Sequence, residues 1–221
     1  MNSQIHLAMQ SPGEHPLSLS GVVGNLEAML TVPSDAHPNI LLFLGHPHSL
    51  QGGSMTNKVV TTLARAAKEI GMASLRFNFR GVGHSQGEFD NGIGESEDLI
   101  KLVRQVEQDN PACEFIFAGF SFGSYVSYRA ACQCPHRLLL SIAPPVERHN
   151  FLSFTPAPSP WEIIMGDADE VVPFSAVENF AKNHTPPIPM HRFADTGHFF
   201  HGQLVKLRQT LEPLFQRVLI Q

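Results

Sequence analysis

The 221-residue chain has little of several features that mark other classes of protein. It has three cysteines, Cys113, Cys132 and Cys134, an odd number with no pair at the spacing of a metal site or a thioredoxin motif. This pattern argues against a disulfide framework and fits reduced thiols in the cytoplasm. No apolar run approaches the ~18 residues of a membrane span, and residues 1–10 lack the basic and apolar regions of a signal peptide. We therefore expect a cytoplasmic protein without a membrane partner.

Positive charge is also scarce. The chain has 15 Lys and Arg against 20 Asp and Glu, a net charge of -5 at pH 7, and no basic cluster. Nucleic acids and anionic lipids need a positive footprint on the protein, so neither is an expected partner. With 43% hydrophobic residues the chain can bury a full core, and its length predicts one domain over residues 1–221. The sequence leaves open whether the chain is a monomer or a homodimer.

Apolar runs and amphipathic stretches alternate along the chain. The predicted strands are residues 17–20, 25–32, 40–44, 72–79, 113–119, 138–142, 161–165 and 189–193, and the predicted helices are residues 56–70, 95–108, 124–132, 173–183 and 204–220. The first two strands form an antiparallel pair, and the rest predicts a doubly wound, mostly parallel sheet with helices on both faces. Ligands then bind at the carboxyl ends of the strands. The Pro-rich connection at 149–160 is too short for a separate lid domain.

One of these strand ends carries the pattern G-x-S-x-G, at Gly119, Ser121 and Gly123. A strand, a tight turn and a helix in this order present a serine as a nucleophile, and side chains at the two glycine positions would collide in the turn. The apolar residues 115–118 precede the pattern and a helical segment follows it, so its context is correct. We predict that Ser121 is a nucleophile.

A serine needs a base, and the base needs a carboxylate that fixes its tautomer. A histidine, His198, follows the last predicted strand, and His201 is the alternative base. Three carboxylates follow the strand at 161–165, of which Asp169 is preferred as the orienting acid. Asp167 is the alternative or caps the following turn, and Glu170 is interpreted as a solvated charge.

The negative oxygen of a tetrahedral intermediate needs two N–H donors. The turn geometry supplies the backbone N–H of Phe122, and the loop after the strand at 40–44 supplies the second, assigned to His48 with Ser49 as the alternative. A rival interpretation takes His46 and His48 as a metal pair, but no third or fourth ligand lies nearby in the sequence.

Two further features are interpreted as structural. The glycine-rich segment 81–87 lacks the Lys-Ser/Thr of a phosphate-binding loop and the spacing of G-x-G-x-x-G, so it is predicted to be a turn. Arg80, at a strand end, is predicted to be a buried ion-pair partner of Glu95 or Asp98. Among the 16 phenylalanines, one or two of Phe120, Phe122, Phe199 and Phe200 are expected to line an apolar acyl pocket.

These linked motifs resemble the α/β-hydrolase superfamily and, more narrowly, its small lidless bacterial members, described as predicted hydrolases or carboxylesterases. The residues that carry the resemblance lie between positions 16 and 215 and are His-Pro-His at 46–48, Gly-Gly at 52–53, residues 57–60, 76–81 and 87–95, the serine turn at 119–123, Asp169 and His198. Ser49 stands where many relatives carry proline. The resemblance implies a shared fold and a reaction type and leaves the substrate open.

The sequence therefore predicts a serine hydrolase of small carboxylic esters or thioesters, with Ser121, His198 and Asp169 as its triad. No cofactor and no metal is expected, and the partner is a small acyl substrate. Amide or peptide cleavage by the same triad is an open alternative. A non-catalytic binding protein on the same fold is a second one.

Overall fold

The structure is a computed structural model that describes residues 3–220. An eight-stranded sheet runs through it in the order β1-β2-β4-β3-β5-β6-β7-β8. The strands are β1 (Gly13–Ser20), β2 (Asn25–Val32), β3 (Ile40–Gly45), β4 (Ala73–Phe77), β5 (Glu114–Phe120), β6 (Leu138–Ile142), β7 (Trp161–Gly166) and β8 (Met190–Phe193). β1 and β2 pair antiparallel, β2 pairs antiparallel with β4, and all later pairs are parallel. The predicted doubly wound, mostly parallel sheet is confirmed.

Helices cover both faces of this sheet. They are α1 (Gln4–Ala8), α2 (Lys58–Glu69), α3 (Ile93–Asp109), α4 (Phe122–Ala131), α5 (Phe174–Asn183) and α6 (Leu204–Ile220), with a short 3-10 helix at Ser49–Gln51. α2 packs against α6, and α3 packs against α4. Every residue of β3 and β6 is buried, which explains why the central strands are continuous apolar runs in the sequence rather than alternating ones.

The element bounds differ from the predicted ones in a few places. α1 was not expected, because its five residues carry little helical periodicity; Ser3 caps it and Ile5 anchors it in the core. β1 begins at Gly13, four residues before the predicted start, because residues 13–16 pair with β2 despite the proline at position 16. An edge strand tolerates that proline. α6 continues through Pro213.

The connection between β6 and β7, residues 143–160, contains no helix or strand. It contributes loop backbone at the carboxyl edge of the sheet and no lid domain. None of the helices within residues 3–220 combines the length and the apolar character needed to cross a bilayer.

Candidate active site

Ser121 is the single residue between the end of β5 and the start of α4. Its backbone has φ 53° and ψ -120°, a conformation that is strained for a residue with a side chain and typical of a nucleophile turn. Its N–H donates to the carbonyl of Ile142 at 2.8 Å, and its carbonyl accepts the N–H of Ser124 at 2.9 Å. The end of the neighbouring strand β6 and the first turn of α4 therefore hold the turn in this conformation.

The glycines around Ser121 are required by close backbone packing. A Cβ atom on Gly119 would overlap the backbone of Gly123, and a Cβ on Gly123 would overlap Gly45 at the end of β3 and lie 2.6 Å from the carbonyl oxygen of His46. The spacing of the sequence motif thus has the steric cause expected from it. The same contacts place the loop after β3 directly beside the serine turn.

The loops after β7 and β8 bring Asp169 to His198. The distance between His198 Nδ1 and Asp169 Oδ2 is 2.8 Å, and both side chains are buried. The other carboxylate oxygen of Asp169 accepts the N–H groups of Val171 and Val172 at 2.8 and 2.7 Å. The turn after β7 therefore fixes the carboxylate, and the carboxylate fixes the imidazole.

The two neighbouring carboxylates hold the histidine loop in place, which differs from their predicted roles. Asp167 accepts the N–H of Asp195 at 2.7 Å and Nε of Arg192 at 2.8 Å, so it bridges to the loop after β8 rather than capping its own turn. Glu170 is exposed, yet its carboxylate accepts the backbone N–H of His198 at 3.1 Å. It is more than a solvated charge.

The ring of His198 lies next to the serine turn. Its imidazole packs on Phe120, the residue before Ser121, with 4.9 Å between ring centroids. Among residues 3–220 no hydrogen bond joins the Oγ of Ser121 to the imidazole of His198, whose hydrogen bond through Nδ1 goes to Asp169. Such bonds often tighten only when substrate is bound. The alternative base, His201, is exposed and stacks on Phe199.

A second buried histidine, His46, supports the loop after β3. Its Nε2 accepts the N–H of Phe79 at 2.9 Å, and its Nδ1 lies 2.7 Å from the carbonyl oxygen of Pro47. Since the N–H of Phe79 can only donate, Nδ1 carries the ring hydrogen and donates it to Pro47. In a trans peptide the N–H points away from the C=O, so the N–H of His48 is directed away from His46. Burial lowers the pKa of His46 to about 4. Both ring nitrogens are occupied by the backbone, which leaves no metal-binding pair with His48.

Aromatic rings form a wall beside this loop. The ring of His48 lies 4.9 Å from Phe89 and 5.2 Å from Phe122, and His149 stacks on Tyr125 at 4.5 Å and lies 5.5 Å from Phe122. Burial lowers the pKa of both histidines, and their mutual proximity lowers that of His149 further. Sequence reasoning did not single out His149; its position in the loop after β6, at the carboxyl edge, was the available signal.

The two features interpreted as structural have structural contacts. Arg80 Nε lies 2.8 Å from Asp98 Oδ2, and both residues are buried, so the predicted ion pair is present. Within the turn at 81–87, the hydroxyl of Ser85 donates to the carbonyl of Asn78 at 2.7 Å.

Comparison with known proteins supplies independent information. A lidless α/β serine hydrolase from Xanthomonas campestris is similar over 94% of this chain and 95% of its own, with 42% identity and a TM-score of 0.88. An α/β serine hydrolase homologue from Coxiella burnetii is 45% identical over 90% of this chain and 96% of its own, with a TM-score of 0.86. A protein of Rickettsia prowazekii, described as uncharacterized, is 37% identical over 158 residues, 69% of this chain and 66% of that protein. The chain therefore spans slightly less than two thirds of this relative. No protein-family profile matches the chain.

Proposed function

Because the chain belongs to the lidless α/β serine hydrolases, we propose that it hydrolyses small carboxylic esters or thioesters with Ser121 as nucleophile, His198 as base and Asp169 as orienting acid. The observation that carries the proposal is the buried contact between His198 Nδ1 and Asp169 Oδ2, 2.8 Å long, in a loop that also packs on the residue before Ser121. A carboxylate on Nδ1 places the ring hydrogen there and leaves Nε2 free to accept a proton.

In the proposed reaction, Ser121 Oγ attacks the acyl carbon while Nε2 of His198 takes the hydroxyl proton. The carbonyl oxygen becomes an oxyanion, and on collapse the proton passes from His198 to the departing alcohol or thiol. Water then attacks the acyl-enzyme, giving its proton to His198, and the acid leaves as Ser121 regains its hydrogen. Asp169 stabilises the imidazolium at each step.

The oxyanion donors of this proposal are the backbone N–H groups of Phe122 and His48. Phe122 is the first residue of α4, where a backbone N–H has no partner inside the helix. His46 orients the peptide that carries the His48 N–H, by holding the Pro47 carbonyl on its other side. Both donors are part of the folded backbone before substrate arrives, so they need no reorganisation.

A small acyl group is favoured by the walls around Ser121. Of the four phenylalanines beside the triad, Phe120, Phe122 and Phe200 are fully buried, and only Phe199 is substantially exposed, at 41%. Phe199 stands perpendicular to the ring of His198 at 5.1 Å. Phe199 contacts Phe120, and the ring of His48 contacts Phe122, the residues before and after Ser121, so a short apolar chain or a small ring finds apolar contacts.

The test combines turnover with labelling of the nucleophile. We expect turnover of p-nitrophenyl acetate and butyrate, and a fluorophosphonate probe should label the native chain but not Ser121→Ala. His198→Ala should lower kcat/KM by about 10⁴-fold or more. His201→Ala is the matched control, three residues away on the same loop and exposed, and should retain activity.

Each alternative has its own outcome in this experiment. Labelling that persists in Ser121→Ala contradicts the proposed nucleophile, and loss of activity in His201→Ala instead of His198→Ala contradicts the proposed base. Preferred turnover of p-nitroanilides supports amide hydrolysis by the same triad. Tight ligand binding without turnover supports a binding protein on this fold.

A further inference from the structure

A cleft separate from the candidate active site opens between α2 and the strands β1, β2 and β4. Its volume is about 420 Å³, and neither the triad residues nor the proposed oxyanion donors Phe122 and His48 line it. Three cations line it, Arg65, Lys68 and Arg76, with a single carboxylate, Glu14. In a chain of net charge -5 this is a local excess of positive charge.

Sheet register explains why these groups meet. Thr31 pairs with Glu14 on one side and with Ser74 on the other, so the three side chains lie on one face of the sheet. Arg76 is two residues beyond Ser74 and points to the same face. α2 crosses this face and adds Arg65 and Lys68 from its exposed side.

The protein supplies few hydrogen-bond and ion-pair partners for Arg76. Its side chain is 11% exposed, and its nearest carboxylate is that of Glu14, 3.6 Å from Nη2 and itself 56% exposed. Within residues 3–220, Nε of Arg76 is buried without any hydrogen-bond partner. Burial lowers the pKa of this guanidinium, and Glu14 offsets the effect only in part. A buried charge with incomplete partners is costly, and an acceptor bound to the exposed part of the guanidinium would offset part of that cost.

Two hydroxyls in the same region lack partners as well. The Oγ1 of Thr31, which lines the cleft, and the Oγ of Ser74 beside it are buried with no hydrogen bond to any other part of the described chain. Thr31 is 2% exposed. A guanidinium with free donors and a free hydroxyl is a donor set that matches an oxyanion, which only accepts hydrogen bonds.

We propose that this cleft binds a small oxyanion, a phosphoryl or carboxylate group of a metabolite, with Arg76 and Thr31 at its base and Arg65 and Lys68 at its mouth. The oxyanion of the ligand accepts hydrogen bonds from Arg76 in place of the Glu14 carboxylate, which lies 3.6 Å from Arg76 Nη2. The site does not depend on the hydrolytic function proposed above, since the two share no residue.

The experiment titrates the full chain with inorganic phosphate and, separately, with malonate, at constant ionic strength because salt screens non-specific attraction. Binding is followed by calorimetry and by the backbone amide resonances of the cleft. We expect saturable binding of at least one anion, with shifts at Thr31 and Arg76. The stronger ligand distinguishes a phosphoryl from a carboxylate site.

Variants locate the site. Lys68→Gln should weaken the anion by about threefold or more, whereas Lys58→Gln, the same change on an exposed position of α2 outside the cleft, should leave the Kd unchanged. Arg76→Met should abolish binding; if it fails to fold, Arg65→Gln, which alters an exposed residue, gives the same answer as Lys68→Gln. Absence of saturable binding to both anions, or equal effects of Lys68→Gln and Lys58→Gln, would overturn the proposal.

Discussion

Two loops at the carboxyl edge of the sheet each hold a buried histidine, and their partners differ in kind. The ring of His46 is held by backbone alone, accepting from Phe79 N–H and donating to the Pro47 carbonyl. The ring of His198 contacts a carboxylate, that of Asp169. An N–H donor pointing at a ring nitrogen is compatible only with the neutral imidazole, whereas a carboxylate stabilises the charged one. Burial alone thus does not show which histidine can take up a second proton. The chemistry of its hydrogen-bond partners does.

The largest expected effect on activity comes from removing the charge of Asp169, the partner of His198. Asp169→Asn keeps an oxygen for the N–H groups of Val171 and Val172 but no longer stabilises the imidazolium or favours the Nδ1–H tautomer of His198. We expect kcat/KM for p-nitrophenyl acetate to fall by roughly 10³–10⁴-fold.

Urea unfolding of the same variant serves as its control. The lost activity should exceed anything that a change in the folded fraction explains. A loss below about tenfold would mean that the contact with Asp169 does not support the reaction.

Lowering the pH tests whether the fold holds His46 in its neutral form. The pKa of His46 is about 4 in the folded chain and 6.5 in its unperturbed state. The unfolded chain therefore takes up a proton first as the pH falls, and stability is lost between pH 6.5 and 4 and is constant above that window. The total from this residue is about 3 kcal/mol, a factor of roughly three hundred in the folding equilibrium.

His46→Gln isolates that contribution. Between pH 7 and pH 5 the variant should lose about 2 kcal/mol less unfolding free energy than the native chain, as measured by urea titration at both pH values. The other histidines titrate in both proteins and cancel in the difference. Equal pH dependence of the two chains would show that His46 is not held neutral.

Two substitutions of His46 test whether it positions the peptide that carries the His48 N–H. The amide nitrogen of Asn occupies a place near Nδ1 and can still donate to the Pro47 carbonyl, whereas the amide of Gln lies near Nε2 and replaces only the contact with Phe79. We expect His46→Gln to lower kcat by about 10- to 100-fold, less than outright loss of an oxyanion donor. KM should change little, and His46→Asn should retain most of kcat. Equal kcat losses in the two variants would reduce His46 to a role in stability.

Local sequence predicted the parts of the site that depend on one strand and its turn. The serine turn is complete within residues 119–123, and its glycines are needed for the contact that the spacing implied. The role of His46 could not be predicted, because its partner, the N–H of Phe79, is 33 residues away and becomes a neighbour only when β3 pairs with β4. A histidine pair separated by one residue also occurs in metal sites, and before that pairing is known only the lack of further ligands nearby argues against one.

The choice among the three carboxylates after β7 also depends on contacts between residues that are distant in sequence. Asp167 and Asp169 both follow the strand, and nothing local separates them decisively. The difference arises where the turn folds back: Asp169 reaches the His198 ring, and Asp167 reaches the backbone of Asp195. The alternation of strands and helices, in contrast, is carried by apolar periodicity along the whole chain, so the fold was predictable where these long-range contacts were not.

The smallest expected effect concerns the anchor of the histidine loop. Asp167 holds Asp195 N–H and Arg192 at once, and the contact with Arg192 lowers the pKa of its carboxyl group. Asp167→Asn removes the charge and retains one acceptor, so the loop that carries His198 should loosen without unfolding. We expect kcat to fall two- to fivefold with little change in the urea midpoint of unfolding, because this ion pair is close to solvent. Glu114→Gln, which breaks the ion pair with Arg137 at the opposite end of β5, is the matched control and should leave kcat unchanged. If both variants lose activity equally, the effect is a general one of lost charge; if only Asp167→Asn does, the position of the loop limits turnover.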